Sequence, residues 1–369
     1  MVKKKRVCHI STVHPLFDDR IFYKECVSLS KNSYDVFLVI SHSFNEVIQN
    51  INIISLPAPC NRAERFFRNA FLAFRKALAI KPDVIHIHDP ELLGVGVLFR
   101  LLGKKVIYDV HENVAKQILY KNWLGSAWFR FIVSKTIAFI ESFASLFFNR
   151  IVVVTEDIQK NFPASKTVLI RNFPRLDMIR NAAPAHLVKK KRVVIYVGNL
   201  AKVRGIKELI DAIGYVDAEL WLMGDWESRE YETACKTSDG WQKTNYLGKK
   251  KLEEVYGYLK LADVGIALLY PIKNYLTSLP VKAFEYMALG IPMIVSDFPY
   301  WKEIFSGCAE FANPFKSNEI VEKLNLLLSN KQISGKLSSH AVHLIESGYS
   351  WEVESVKLIS LYKELWNEN

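Results

Sequence analysis

Short apolar runs alternate with amphipathic segments along the chain. In the first half several runs are apolar on nearly every residue, as in strands that are covered on both faces. We predict strands over residues 6–11, 35–40, 51–56, 83–88, 105–110, 151–155 and 166–170, and helices over 20–30, 62–80 and 91–102. The repeated order strand, helix, strand indicates a parallel, doubly wound sheet.

The same alternation restarts after a polar segment, residues 175–191, which carries Pro184 and suits a linker. We predict strands over 193–197, 218–223, 264–269 and 293–296, and helices over 206–213, 252–261, 281–289, 319–328 and 351–366. The fold class is therefore α/β, with two Rossmann-like domains in series. The predicted boundaries are 1–174 for the first domain, 190–348 for the second and 349–369 for a C-terminal helix.

Composition and charge agree with two globular domains. A chain of 369 residues suits about two domains, and 50% apolar with 24% charged residues excludes a disordered or fibrous protein. The net charge of +11 lies entirely in the first half. Residues 1–180 hold 26 basic and 15 acidic residues, whereas residues 181–369 hold 23 of each. The two domains are therefore expected to present different surfaces.

The scattered cysteines and the lack of a recognisable signal peptide or membrane span predict a cytoplasmic protein. The five cysteines are scattered, without CxxC spacing or a Cys/His cluster, which disfavours a disulfide framework and a structural zinc site. No long apolar run follows the basic N-terminal residues, so we expect no signal peptide. The most apolar stretch, 128–148, is interrupted by Arg130, Lys135 and Glu141 and is not expected to span a membrane.

Polar side chains follow three predicted strands of the first half, where ligands of parallel sheets bind. They are His14, Asp18 and Arg20 after the first strand, His88 and Asp89 after the fourth, and His111 and Glu112 after the fifth. Three histidines at equivalent positions indicate a functional site. Each one could instead cap a helix or be a hydrogen-bonded core group. A catalytic metal is another alternative, although the HxH spacing that places His86 and His88 on one face is weak evidence.

Two segments of the second half can hold phosphate. The loop between the strand 193–197 and the next helix contains Gly198, Asn199, Lys202, Arg204 and Gly205. Glycines, cations and a helix N-terminus together can bind a phosphate group, but cations of such a loop can also be merely solvated. The GK[ST] ending of a P-loop is missing.

The second of these segments begins the helix 281–289 and contains Thr277, Ser278, Leu279, Lys282 and Glu285. We expect Thr277 or Ser278 to cap the helix and its first N–H groups to face the same site. Lys282 and Glu285 share a helix face, so a purely structural Lys–Glu pair is the alternative interpretation. That pair explains Glu285 less well, because Glu285 lies in an apolar stretch.

A basic and aromatic surface is predicted in the first half. Five basic residues between Arg62 and Lys76 alternate with Phe66, Phe67, Phe71 and Phe74, and the region from Trp123 to Phe148 adds further aromatic residues. Such a surface suits an anionic bilayer. The alternative is that the aromatic side chains belong to the core and the arginines are solvated. Nucleic acid is not an expected partner, because no binding motif accompanies the charge.

The chain resembles the GT-B fold glycosyltransferases of the retaining family 4, also called group 1, which build bacterial polysaccharides. The matching segments span nearly the whole chain in the same order. They are His14-Pro15 through Asp18, Arg20-Ile21-Phe22, Lys24-Glu25, His88 to Leu93, Tyr108 to Glu112, Gly198 to Gly205, Leu279 to Pro292 and Tyr349 to Glu352.

This resemblance implies two Rossmann-like domains that face each other across a cleft, with the C-terminal helix crossing back to the first domain. Glu285 corresponds to the second glutamate of the family's Glu-x7-Glu motif, which bonds the nucleotide ribose. Arg204 corresponds to the cation that neutralises the donor diphosphate, and His111 to the histidine beside the donor sugar. Gly198, Asn199, Lys202, Gly205, Thr277, Ser278, Leu279 and Lys282 are then expected to contact the donor, and His14, Asp18, Arg20, His88, Asp89 and Glu112 the acceptor.

The implied activity is transfer of a hexosyl unit from a UDP- or GDP-sugar to a glycan or polyprenyl-diphosphate-linked acceptor, as in capsule or lipopolysaccharide biosynthesis. No metal or other cofactor is expected. Two positions depart from the family, since Thr277 replaces the first glutamate and Asn199 replaces a second cation. A nucleotide-sugar epimerase of the same fold and a non-catalytic partner subunit are the alternatives. A Rossmann dehydrogenase and a serine hydrolase are disfavoured, because the G-x-G-x-x-G and G-x-S-x-G motifs are missing.

Overall fold

The structure is a computed structural model that describes residues 4–120, 124–273 and 275–367, so Trp123 lies outside the described residues. The chain divides into two compact units. The first unit runs to Asn172 and includes the C-terminal segment from Glu352, and the second unit comprises Phe173–Trp351.

Each unit is built on one sheet. The strands of the first unit are β1 Arg6–Ile10, β2 Asp35–Ser41, β3 Glu46–Ile48, β4 Ile51–Leu56, β5 Val84–Ile87, β6 Lys105–Val110, β7 Arg150–Val153 and β8 Thr167–Leu169. Those of the second unit are β9 Val193–Val197, β10 Glu219–Met223, β11 Thr244–Tyr246, β12 Val264–Ala267, β13 Met293–Ser296 and β14 Ala309–Ala312.

Helices connect most of these strands. They are α1 Val27–Lys31, α2 Arg62–Glu64, α3 Ala70–Ile80, α4 Leu93–Leu101, α5 Val114–Ile118, α6 Ala127–Ser145, α7 Glu156–Gln159, α8 Leu176–Asn181, α9 Ile206–Ile213, α10 Arg229–Lys236, α11 Leu252–Leu259, α12 Val281–Ala288, α13 Pro299–Phe305, α14 Ser317–Ser329, α15 Lys331–Gly348 and α16 Trp351–Asn367. π-helical turns at Asp19–Cys26 and Arg65–Asn69 extend α1 and α3.

The sheet orders explain where polar loops collect. The first sheet has the order β3-β4-β2-β1-β5-β6-β7-β8, and its strands are parallel except for β3, which pairs antiparallel with β4. The second has the parallel order β11-β10-β9-β12-β13-β14. The chain therefore reverses its direction across the sheet between β1 and β5 and again between β9 and β12. The loops that follow these strands lie at the positions where parallel sheets bind ligands.

Both faces of the second sheet are buried. Val193 and Ile195 belong to one hydrophobic cluster, and Val194 and Tyr196 of the same strand belong to another. Because successive side chains of a strand point to opposite faces, helices must cover the sheet on both sides. The predicted α/β class with two Rossmann-like domains is confirmed, whereas the cleft arrangement stays a prediction.

The predicted linker, residues 175–191, is partly helical. Its first part forms α8, and Leu176 and Ile179 are buried in the core of the second unit. The expectation of a plain linker is therefore wrong for this part, because two apolar side chains on one helical face outweighed the polar composition. At the other end α16 belongs to the first unit from Glu352 onward, and there the hydroxyl of Tyr362 lies 2.8 Å from Nδ1 of His86.

Candidate functional site

The predicted phosphate loop lies at the reversal point of the second sheet. Gly198 follows β9 directly, and Arg204 ends a 3₁₀ turn that leads into α9. Gly198 has a φ of +133° and Gly205, from which α9 starts, a φ of +62°. Residues with a Cβ rarely adopt these conformations. A Cβ at Gly198 would also lie 2.9 Å from Nζ of Lys282, so glycine leaves room for the ammonium group.

Two cations of this site rest on aromatic rings. Nζ of Lys282 lies 3.7 Å from the centre of the Tyr196 ring, and Cζ of Arg204 lies 5.7 Å from that of Tyr275. Within the described part of the chain, neither cation forms an ion pair with a carboxylate. Burial lowers the pKa of Lys282 well below its ordinary value and the charge of Arg204 lowers it further, while Glu285 raises it. Two cations that repel each other, without a paired anion, can bind a diphosphate.

Helix α12 starts without a serine or threonine cap. Pro280 is the N-cap residue and no side chain bonds the first turn, whereas the hydroxyl of Ser278 donates to the carbonyl of Tyr275 at 3.1 Å. The predicted cap by Thr277 or Ser278 is wrong, because both precede Pro280 and Ser278 is used within the preceding turn. The first N–H groups of α12 therefore have no side-chain partner at the cap.

Glu285 lies inside α12 and is buried, with 8% of its surface exposed. The hydroxyl of Tyr256, on α11, donates to its Oε1 at 3.3 Å. Tyr256 thus orients the carboxylate that the sequence predicts to bind ribose. Among the other predicted donor contacts, Asn199, Lys202 and Thr277 are exposed, and Leu279 packs against the core.

Sequence reasoning missed Tyr196 as part of this site. Its ring supports Lys282, and its hydroxyl donates to the carbonyl of Asn199 at 3.0 Å. Tyr196 is fully buried in β9. A tyrosine within an apolar strand carries no signal that separates this role from core packing.

In the first unit the loop after β1 meets the loop after β5. Nδ1 of His14 lies 3.0 Å from Oδ2 of Asp18, and its Nε2 lies 3.6 Å from Oδ1 of Asp89. Burial opposes a charge on His14, but the hydrogen bond and charge of Asp18 outweigh it and raise the pKa of His14. The rings of His14 and His111 have centres 5.1 Å apart. The prediction that these histidines share one rim is confirmed.

His88 and His111 are linked through a residue that the sequence did not single out. Nε2 of His111 lies 3.0 Å from Oδ2 of Asp109 and 3.2 Å from Nδ1 of His88. Burial raises the pKa of Asp109, but Arg20 and His111 hold it well below its ordinary value. Burial lowers the pKa of His88 to about 4. His111 is therefore oriented by an ionised carboxylate.

Arg20 is buried behind these residues. Its Nε and Nη2 donate to the two oxygens of Asp109 at 2.9 and 3.0 Å, and its Nη1 donates to the carbonyl of Ile170 at 3.1 Å. Arg20, His88 and Asp89 are each at most 3% exposed. Their polar atoms bind other residues of the unit, and contact of these three residues with an acceptor stays a prediction. Glu112 is exposed and accepts a hydrogen bond from Gln117.

The predicted basic and aromatic surface is exposed in large part. Phe66, Phe67 and Phe71 are exposed, whereas Phe74 packs on Phe99 with ring centres 4.9 Å apart. The interpretation as core holds for Phe74 and for Phe148, which is fully buried. Helix α6 adds exposed Trp128, Phe129, Phe131, Phe139 and Phe143. Among the described residues, no helix combines the length and apolar character needed to cross a membrane.

Two family models match the chain in succession. The model of glycosyltransferase family 4 matches residues 20–173, and that of glycosyl transferases group 1 matches residues 178–351. The chain belongs to this family of glycosyltransferases. The predicted family is confirmed, and the chain is a member of a family of transferase enzymes.

Solved glycosyltransferases share the fold. Sucrose-phosphate synthase from Thermosynechococcus elongatus is 17% identical, with 99% of this chain and 100% of that chain covered and a TM-score of 0.79. HepE from Anabaena, solved in complex with UDP and glucose, is 12% identical, with 97% and 99% covered and a TM-score of 0.73. At these identities the likeness shows the GT-B fold alone.

A curated relative covers part of the chain. Spore coat protein SA from Bacillus subtilis is 24% identical over 193 residues, which represent 47% of this chain and 49% of the relative. The chain thus spans about half the length of the curated relative that it matches.

Proposed function

We propose that this glycosyltransferase moves a sugar from a nucleotide-sugar donor to a glycan or polyprenyl-diphosphate-linked acceptor in cell-surface polysaccharide biosynthesis. The supporting observation is the pair of cations, Arg204 and Lys282, at the reversal point of the second sheet. The solved complexes of HepE with UDP and with UDP-glucose make UDP the first nucleotide to test. We place the reaction in the cytoplasm.

The transfer breaks the bond between the anomeric carbon of the sugar and an oxygen of the diphosphate. The acceptor oxygen forms the new bond, and its proton goes to the departing diphosphate. Arg204, Lys282 and the first N–H groups of α12 stabilise the negative charge of that leaving group. A single donor of this kind contributes on the order of 3 kcal/mol to the transition state. We propose that these groups suffice without a metal at the diphosphate.

Glu285 and His111 have separate roles in this proposal. Glu285, oriented by Tyr256, accepts hydrogen bonds from the ribose hydroxyls of the donor. His111 lies beside the reacting donor sugar, as the resemblance implies, and Asp109 orients the imidazole ring of His111. We propose retention of configuration, with the acceptor hydroxyl attacking on the face that the diphosphate leaves.

The first experiment is a thermal-shift panel of nucleoside diphosphates and nucleotide sugars, followed by transfer assays with the best ligand. Arg204→Ala should lower kcat/KM roughly 10²–10³-fold. Arg229→Ala, an exposed arginine of the same unit on α10, is the matched control. Equal activity of Arg204→Ala and wild type would contradict the proposal.

Glu285→Ala tests the alternative of a non-catalytic subunit. An enzyme loses donor affinity and activity, because the carboxylate that bonds the ribose is gone. A protein without a donor site loses neither. Conversion of the donor sugar in the absence of any acceptor would instead identify an epimerase.

We further propose peripheral contact with the anionic inner face of the plasma membrane through the aromatic side chains of α6 and of the segment 62–80. Flotation with anionic vesicles should recover the protein at low salt. The double variant Phe67→Ser/Phe71→Ser should bind less, while Phe315→Ser, at an exposed phenylalanine of the second unit, should not change binding. No flotation of the wild type at low salt would remove the membrane contact from the proposal.

A further inference from the structure

A row of buried side chains leads from His111 to the C-terminal helix. Nδ1 of His88 lies 3.2 Å from Nε2 of His111, and Nε2 of His88 lies 2.9 Å from Nδ1 of His9. The hydroxyl of Tyr362, on α16, lies 3.4 Å from Nε2 of His9 and 2.8 Å from Nδ1 of His86. Apart from His111, the members of this row are at most 3% exposed, so solvent cannot replace these contacts.

We propose that Tyr362 is a positioning residue for His111, acting through His9 and His88, a role that rests on the proposed function. A neutral imidazole has one N–H donor and one acceptor nitrogen. A row of imidazoles can therefore hold its protons in either of two opposite orders. The partners at the two ends of the row decide which order it adopts.

Asp109 fixes the order at the outer end. Although burial opposes its charge, Arg20 and His111 hold the pKa of Asp109 well below its ordinary value, so the carboxylate is ionised. Its Oδ2 accepts a hydrogen bond from Nε of Arg20 at 2.9 Å and lies 3.0 Å from Nε2 of His111. An anionic oxygen would repel a nitrogen lone pair at that distance. Nε2 of His111 therefore carries a proton and donates it to Asp109.

The other protons of the row follow from this one. A proton on Nδ1 of His88 would face the proton of His111 across 3.2 Å, so Nδ1 of His88 is an acceptor. Burial lowers the pKa of His88 to about 4, so the ring is neutral and donates from Nε2 to Nδ1 of His9. Burial also lowers the pKa of His9, so its single proton lies on Nε2 and faces the hydroxyl of Tyr362. That hydroxyl donates in turn to Nδ1 of His86.

A neighbouring carboxyl group does not disturb this order. Oε2 of Glu25 lies 3.8–4.0 Å from the nearest nitrogens of His9, His86 and His88, beyond hydrogen-bond distance. Burial and the charge of Asp109 raise the pKa of Glu25 well above its ordinary value. Glu25 is therefore neutral and attracts no proton from the row.

The hydroxyl of Tyr362 holds the inner end of the row, because it accepts the proton on Nε2 of His9. Without this acceptor, His9 can carry its proton on Nδ1 instead, and His88 then carries its own on Nδ1. Nδ1 of His88 lies 3.5 Å from Oδ2 of Asp109, so it would compete with His111 for that oxygen. The hydroxyl thus protects the hydrogen bond that orients His111.

Long-range proton–nitrogen NMR of the full-length protein with labelled histidine tests the row, because it distinguishes Nε2–H from Nδ1–H imidazoles. The chain has nine histidines, and single His→Gln variants assign their signals. In the wild type, His9 and His88 should carry their protons on Nε2. In Tyr362→Phe, both should show a share of the Nδ1–H form. A wild-type proton on Nδ1 of His88 would overturn the proposal.

Transfer kinetics test the effect on His111. Tyr362→Phe should lower kcat roughly 3–10-fold, the effect of one lost hydrogen bond. KM for the donor should not change, since the proposed donor residues belong to the second unit. Tyr34→Phe is the matched control, because the ring centre of Tyr34 lies 5.8 Å from that of Tyr362 and its hydroxyl forms none of the contacts of the row. The control should keep the tautomers and kcat of the wild type.

The two readouts separate positioning from a structural role. A lower kcat of Tyr362→Phe with unchanged tautomers would overturn the proposal, as would changed tautomers with an unchanged kcat. The NMR measurement needs no transfer activity. Absence of transfer in the wild type would therefore contradict the proposed function, whereas unchanged tautomers in Tyr362→Phe would contradict only the role of Tyr362.

Discussion

The two units differ in the partners of the charged side chains at their candidate sites. In the first unit Arg20 is enclosed by Asp109 and Glu25, and His14 is paired with Asp18. In the second unit Arg204 and Lys282 rest on aromatic rings. Paired and buried charges stabilise the loops around them, because separating them leaves a charge without solvent. Arg204 and Lys282 lie on aromatic rings and form no ion pair with a described carboxylate, so an anion can pair with them.

The largest expected effect is on the stability of the first unit. Arg20→Ala leaves the buried carboxylate of Asp109 without its cation, so we expect a loss of about 3–5 kcal/mol in the free energy of unfolding, measured by urea titration. Arg68→Ala is the matched control, since Arg68 is exposed and pairs with Glu64 one helical turn away in the same unit, and it should cost at most about 1 kcal/mol. Similar losses for both variants would show that burial does not distinguish the two ion pairs.

Lys282 should make donor binding depend on pH. Its pKa is lowered by burial and by Arg204, so it loses its proton at a lower pH than a surface lysine. The affinity for UDP should therefore be full below this pKa and fall as the pH rises through it. A bond from a charged group contributes about 1.5–3 kcal/mol, or roughly 10–100-fold in the dissociation constant measured by calorimetry.

Lys282→Met provides the control for this pH dependence. The variant should bind UDP weakly, and only the titration of the nucleotide's own phosphate should remain in its profile. A fall in affinity at the same alkaline pH in the variant would assign the effect to another group.

Gly198→Ala should affect both folding and binding in the second unit. The φ of +133° disfavours any other residue, and the added Cβ would lie 2.9 Å from Nζ of Lys282. We expect a loss of about 1–3 kcal/mol in stability together with weaker UDP binding. Gly335→Ala, inside α15 with open space around the added Cβ, should leave UDP binding unchanged.

The smallest expected effect is at Tyr196. Tyr196→Phe removes the hydrogen bond to the carbonyl of Asn199 and keeps the ring under Lys282, so the cost should be about 1 kcal/mol in unfolding experiments. Tyr196→Leu removes the ring as well and should weaken UDP binding further. Equal UDP affinity of the two variants would mean that the ring does not support Lys282.

Sequence patterns located the strands that carry the sites. The predicted strands 105–110 and 193–197 coincide with β6 and β9, because buried parallel strands are apolar on nearly every residue. The patterns missed β3, β11 and β14, which are only three or four residues long. β3 and β11 contain no buried residue, so no apolar run marks them in the sequence.

The residues that orient the predicted site were harder to find. His9 and His86 are neighbours in the register of β1 and β5, and Tyr362 reaches His86 from a helix near the end of the chain. Local sequence shows a histidine inside an apolar strand and nothing about its partner. The partner depends on the tertiary fold, which in this chain brings Tyr362 to His9 across 353 positions.

By itself the sequence determined the class of fold, the family and the strand ends at which polar residues collect, since these follow from local period and from motifs. Only the tertiary structure decided which of those residues are enclosed and which remain available. Arg20 and Arg204 both lie in the segment that leads from a strand to the next helix. Asp109 pairs with Arg20 across 89 positions, whereas Arg204 lies on the ring of Tyr275. Whether a charge is neutralised depends on which distant side chains the sheet brings within a few ångströms of it.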